Sequence, residues 1–198
     1  MFAFGSMLVF GLVLNGTPTS AIRAAYAGII WTILYFASTF AFSSSFHNES
    51  DQGTIGGLKS LPFSMNVILY GKAVYCLVHL TLVMFTLLVS ASVFLAIDLT
   101  FFSTLTILLV FLVGAVGFSL LGCLTSALLM FSEGKRLLIV FLLLPVSLPI
   151  LIPCISATSK IAAGLTFSDI FPEMELILAF DILVFIVSYL SFESAVSD

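Results

Sequence analysis

Charge is what this sequence has least of. Among 198 residues there are 6 Lys or Arg and 10 Asp or Glu, 8% together. Soluble domains carry about 25%. The few charges are also bunched, so that residues 24–48, 73–97, 99–132 and 137–159 contain none. About 20 consecutive apolar residues cross a bilayer as a helix, and each of these windows is long enough. A soluble domain, a disordered chain and a secreted disulfide scaffold are all excluded. Basic clusters are absent too, and the net charge of −4 argues against nucleic acid.

Cysteine is nearly as scarce. Cys76, Cys123 and Cys154 lie far apart in apolar stretches and form no C-x-x-C pair. That spacing argues against zinc and redox chemistry, and leaves them as buried small hydrophobes. No Ser–His–Asp set, paired carboxylate site or H-E-x-x-H is found, so the chain is not expected to be an enzyme. Gly53 to Ser60 superficially resembles a phosphate loop, but Leu58 stands where G-x-x-x-x-G-K-S/T requires its second glycine. Any ATP chemistry must therefore come from a partner chain.

What remains is 61% apolar, with 21 Phe. We read one all-α, polytopic membrane domain over residues 1–198. About six transmembrane helices are expected, near 2–14, 22–46, 65–97, 101–131, 137–155 and 175–192. Residues 2–14 span only about 20 Å as a helix, with no basic residue before them and no A-x-A site after, which disfavours a signal peptide. Asn15, Gly16 and Pro18 break that segment. Asp98 to Thr100 form a tight turn, and residues 156–172 a loop. Lys59, Lys72, Lys135 and Arg136 fall on one side of the membrane, against Arg23 and Lys160 on the other. The positive-inside rule then places 47–64, 132–136 and both termini in the cytoplasm.

Individual residues suggest sites, each with a plainer reading beside it. His79, mid-span, could ligate haem iron or serve as a hydrogen-bonded structural histidine. Asp181 is ionisable at membrane depth, which points to function or to a polar packing contact. Ala115, Ser119, Cys123 and Ala127 recur every four residues, a stripe that lets helices approach closely, with Gly114, Gly117 and Gly122 adding to it. Pro145, Pro149 and Pro153 remove backbone donors at four-residue spacing. Pro145 and Pro149 are candidates for a helix kink or a transport pathway.

Taken in order, these features resemble the CcmB family, haem exporter protein B. Arg23 followed by Gly28-Ile29-Ile30-Trp31 is similar to R-x-A-P-G-I-I-W, with Ala27 for the proline and one extra residue after the arginine. Phe46 to Pro62 is similar to the loop F-R-D-D-x-x-D-G-S/T-L-E-x-L-x-x-x-P. Lys72, the Leu120-Leu121-Gly122 element, Leu144-Pro145 with Pro149, and Leu190-Ser191-Phe192 follow in register. The departures are His47 for the basic residue, Gln52 before Gly53, Gly56 for a Glu, and Cys76 near a position where some relatives carry His. The family also opens with a basic amphipathic helix, so an upstream start is expected.

The resemblance implies an ABC-2-type permease-like fold in the bacterial cytoplasmic (inner) membrane. It implies a permease subunit of an ABC-type haem exporter in cytochrome c maturation, with ATP hydrolysis on a partner driving haem delivery or haem-chaperone release. The partners implied are an ATP-binding subunit (CcmA-like), a haem-handling membrane protein (CcmC-like) and a haem chaperone (CcmE-like). Haem enters as a transported or handled ligand. The 47–64 loop is the natural coupling element, through Glu49, Asp51, Gly53, Thr54 and Pro62. Two alternatives stay open: an ABC-2-type permease exporting another substrate, a lipid or drug, and a membrane scaffold that transports nothing.

Overall fold

The computed structural model describes residues 1–45, 65–95, 101–129 and 135–197. Six α-helices, five of them long, make up nearly all of it: α1 (Phe2–Val13), α2 (Thr19–Ser45), α3 (Met65–Phe94), α4 (Phe101–Leu128), α5 (Lys135–Ala162) and α6 (Phe171–Ser197). A single 3-10 turn, Phe167–Ile170, leads into α6. No strand occurs among the described residues. Four helices are long and apolar enough to cross a membrane, over Thr19–Phe42, Val67–Phe94, Ser103–Leu128 and Phe141–Ala162. At 22 to 28 residues they reach about 33–42 Å, against a hydrocarbon core of about 30 Å. α1 is apolar but shorter. α6 carries Glu173, Glu175 and Asp181 in its first half.

Two connections show how the sequence ends and restarts its helices. After α1, Gly16 takes a positive φ of 86°, a conformation that costs glycine little. Thr17 donates its hydroxyl to the Leu14 carbonyl at 2.7 Å. Pro18 then offers its carbonyl to the N–H groups of Ala21 and Ile22, opening α2. After α5, Gly164 sits at φ 88°. Leu165 N–H donates to the Lys160 carbonyl and Gly164 N–H to that of Ile161. This is a Schellman closure, which needs glycine at its left-handed position.

α5 extends to Ala162, past the expected span end near 155 and through part of the loop expected over 156–172. Its three prolines do not stop it. Each removes one N–H, and at four-residue spacing the losses stack along a single line. Pro149 would have donated to Pro145, and Pro153 to Pro149, while the other lines of the helical ladder stay whole. Pro145 and Pro149 face outward and Pro153 is buried.

α4 is the centre of the bundle, packed against α2, α3, α5 and α6. Its small residues explain this, because they lie on different sides. Ala115, Ser119, Cys123 and Ala127 are all buried. Gly122 lies against the ring of Phe42 on α2, where a Cβ would collide with it. Phe42 stacks edge-on against Phe118 at 5.4 Å, and Trp31 meets Phe111 at 6.1 Å. α3 packs against α1, α2, α4 and α6 but leaves one side open, exposing Val74, Tyr75, Val78 and Leu82. Close backbone approach on several sides of one helix is the packing mode expected where apolar burial alone does not drive association.

Candidate functional site

The described structure brings its most unusual polar group to the meeting point of four helices. Asp181, one of the acids of α6, is 9% exposed. It lies ten residues into its helix, about 15 Å from the start. Its Oδ1 is buried and has no hydrogen-bond partner among the described residues. That oxygen presses on Gly117 of α4, where a Cβ would overlap it, and Ile150 of α5 closes the notch at 3.0 Å from the same position. One turn earlier, Gly114 accommodates the Cys154 sulfur and the edge of the Trp31 ring. Trp31 on α2 donates Nε1–H to Thr158 Oγ1 at 3.0 Å, and Thr158 donates to the Cys154 carbonyl at 2.8 Å.

In this junction the Trp31 indole and the Thr158 hydroxyl have defined partners. The indole donates to the hydroxyl, and the hydroxyl in turn to the Cys154 carbonyl. The Asp181 carboxyl oxygen is left over, in surroundings where an unpaired polar atom costs several kcal/mol, as an order of magnitude. Chemically, such an oxygen can hold a proton or accept a hydrogen bond from a polar group that enters between α4 and α6. No group of three or more His, Cys, Asp or Glu suited to a metal ion occurs among the described residues.

A second polar cluster closes the end of the bundle where α2 begins and α5 ends. Lys160 Nζ pairs with Glu173 Oε1 at 2.7 Å and donates to the Asp169 carbonyl at 2.9 Å. Ser156 donates to the same Glu173 oxygen at 3.1 Å. Thr166 donates both its N–H, at 2.8 Å, and its hydroxyl, at 2.7 Å, to Asp169 Oδ2. Those two bonds hold the Asp169 carboxyl below the usual carboxylate range. For Glu173 burial is the largest single influence and pushes upward, but the bonds from Lys160 and Ser156, with the Lys160 charge, carry it below its ordinary value. Arg23 is exposed nearby and lines a cavity of about 480 Å³ with Thr19, Ser20 and Ser159.

The sign of the pH effect follows. A carboxyl depressed in the folded protein stabilises it above its unfolded value, and that contribution fades as pH falls through the folded value. The melting temperature of the purified protein is expected to drop as pH falls below the ordinary carboxylate range. Lys160→Met is expected to flatten that dependence at a cost below about 1 kcal/mol near neutrality, because the lysine is partly solvated. An unchanged acid limb in Lys160→Met would remove the ion pair from this account.

The residues singled out from sequence fall in different places. Asp181 is at the junction with Gly114 and Gly117. Pro145 and Pro149 lie on the outer side of α5, while Ile150 and Cys154 of the same helix are buried. His79 is half-buried on α3. Glu49, Asp51, Gly53, Thr54 and Pro62 lie outside the described residues. Sequence reading treated the three cysteines as unrelated, but Cys76 and Cys123 meet at 3.4 Å between sulfurs. A signal was available. Cys76 stands 22 residues before Asp98 and Cys123 25 residues after it, so a helical hairpin turning there puts both at one depth. Trp31 and Thr158 were not paired from sequence either, since 127 residues separate them.

A family model described as CcmB protein matches residues 1–197 of the chain. No curated protein matches it.

Proposed function

We propose that this chain, which belongs to the CcmB family, is the permease subunit through which a partner ATPase drives haem delivery, or haem-chaperone release, during c-type cytochrome assembly. The family is the membrane component of haem export for cytochrome c maturation. The observation that carries the reading is the family match over nearly the whole chain. The all-helical bundle with four membrane-length helices is consistent with it.

The finer parts of the proposal concern coupling. All six helices cross the bilayer, with α1 as the shortest crossing and α6 as the one that carries Glu173, Glu175 and Asp181. Residues 47–64 face the cytoplasm and join α2 to α3. A CcmA-like subunit pushes on this loop through Glu49, Asp51, Gly53, Thr54 and Pro62. Its push tilts two long helices, and the central α4 passes the motion to α5 and α6, as rigid-body rocking requires. The prolines of α5 supply a flexible pathway element at Pro145 and Pro149. A CcmC-like haem handler and a CcmE-like chaperone receive the output. His79, half-buried on α3, stays a candidate for handling haem or for a structural hydrogen bond.

The test is a haem stain of membrane proteins after denaturing electrophoresis, from a strain lacking the gene. Covalently bound haem is expected to be lost, and restored by the intact gene but not by one with residues 47–64 scrambled. Normal covalent haem in the deletion strain would overturn the proposal.

A further inference from the structure

We propose that Cys76 and Cys123 form a dithiol–disulfide site inside the bundle, oxidised by a lipid-soluble quinone. Their sulfurs are 3.4 Å apart across the α3–α4 seam. Both side chains are fully buried, and neither is in a disulfide. A disulfide bond is about 2.0 Å long, so the sulfurs need to close by about 1.4 Å. The third cysteine, Cys154, packs instead against Gly114 on α5's side of α4, and supplies an internal control.

Two features choose the oxidant. The first is access. α3 packs against four helices on one side and leaves the other side open, with Val74, Tyr75, Val78 and Leu82 exposed along it. Cys76 lies on the buried side of α3 with Cys123, so an oxidant meets the pair only where the α3–α4 seam opens within apolar surroundings, into which a lipid-soluble oxidant partitions and a charged, water-soluble disulfide such as oxidised glutathione does not. The second is stoichiometry. The two thiols together give up two electrons and two protons as the S–S bond forms. A quinone takes up both pairs and leaves as the hydroquinone, with nothing left over. A metal site fits less well, since no third His, Cys, Asp or Glu joins the pair among the described residues.

The bond would fix α3 to the central helix. α3 is also the helix that follows residues 46–64, so on the coupling reading given above oxidation arrests the ATP-driven movement. That consequence depends on the coupling reading. Formation of the bond does not.

The experiment uses the full chain in native membranes, treated with decylubiquinone or with oxidised glutathione, then denatured and alkylated for intact-mass and peptide analysis. Quinone is expected to protect two cysteines from alkylation, to yield a linked Cys76–Cys123 peptide that dithiothreitol releases, and to leave Cys154 alkylated. Glutathione disulfide is expected to leave all three alkylated. In Cys76→Ser, Cys123 is expected to be alkylated after quinone treatment as fully as before it. Three equally alkylated cysteines after quinone, or a link between separate chains, would overturn the site. A linked peptide with undiminished cytochrome assembly would keep the site and overturn the arrest.

Discussion

Gly117→Ala is expected to destabilise the bundle by about 1–3 kcal/mol, the cost of overpacking a well-packed interior. In a helix this substitution ordinarily gains up to about 1 kcal/mol, so the expected sign is the reverse of the intrinsic one. The reason is local. A Cβ at Gly117 overlaps the Asp181 carboxyl oxygen and meets Ile150 at 3.0 Å. The carboxyl must swing away, but α4, α5 and α6 all pack around it. Gly71 on α3 provides the contrast, because a Cβ there meets nothing within 4 Å. Gly71→Ala is expected to be neutral or slightly stabilising. Unfolding of each variant in detergent by circular dichroism, with the amount accumulated in membranes, checks both.

The same junction supplies a double-mutant test. Asp181→Ala removes the oxygen that fills the space above Gly117, so Gly117→Ala is expected to be much less harmful in that background. A coupling of about 0.5–3 kcal/mol is the usual range for residues in contact. Additive effects would mean that the two residues do not touch in the membrane, and the junction would lose its standing as a site.

Legibility from sequence followed the physics of each feature. The long helices were legible because charge-free windows of bilayer length admit few other readings. The α1–α2 break was legible because glycine and proline punctuate locally, and Gly16 and Pro18 do so by their own backbone conformations. The end of α5 was not. Prolines usually end helices, but here they align on one stripe, and the actual stop is Gly164. Asp181 stood out because a carboxylate in an apolar run is conspicuous. Its partner Gly117 did not, since a glycine shows nothing of what approaches it until the helices are packed. The stripe at Ala115, Ser119, Cys123 and Ala127 was legible as a contact face, but not which helix it would meet. The contacts between Trp31 and Thr158, and between Cys76 and Cys123, are products of tertiary packing. Only the hairpin register around Asp98 hinted at the second.

Reversing the acids of the 47–64 loop, as Glu49→Lys with Asp51→Lys, is expected to reduce covalent haem in membrane cytochromes at least tenfold. A tenfold effect corresponds to about 1.4 kcal/mol. The direction comes from charge. This segment holds Glu49 and Asp51 beside a single basic residue, Lys59, so on the coupling proposal it offers net negative charge to the partner. Like charges brought together at an interface cost several kcal/mol, whereas removing an exposed charge costs little. Glu49→Ala and Asp51→Ala are accordingly expected to have weaker effects than the reversals. A solvated loop without a partner predicts something different, since two lysines at an exposed loop leave stability within about 0.5 kcal/mol of wild type. The haem stain must therefore be read beside the amount of protein in the membrane. Lost covalent haem at normal protein level, with partial recovery when the partner ATPase carries the complementary Lys-to-Glu change, would assign the acids to the coupling contact. Unchanged haem in the double reversal would remove the loop's acids from the mechanism and leave the backbone at Gly53 and Pro62 as the remaining candidates for the contact.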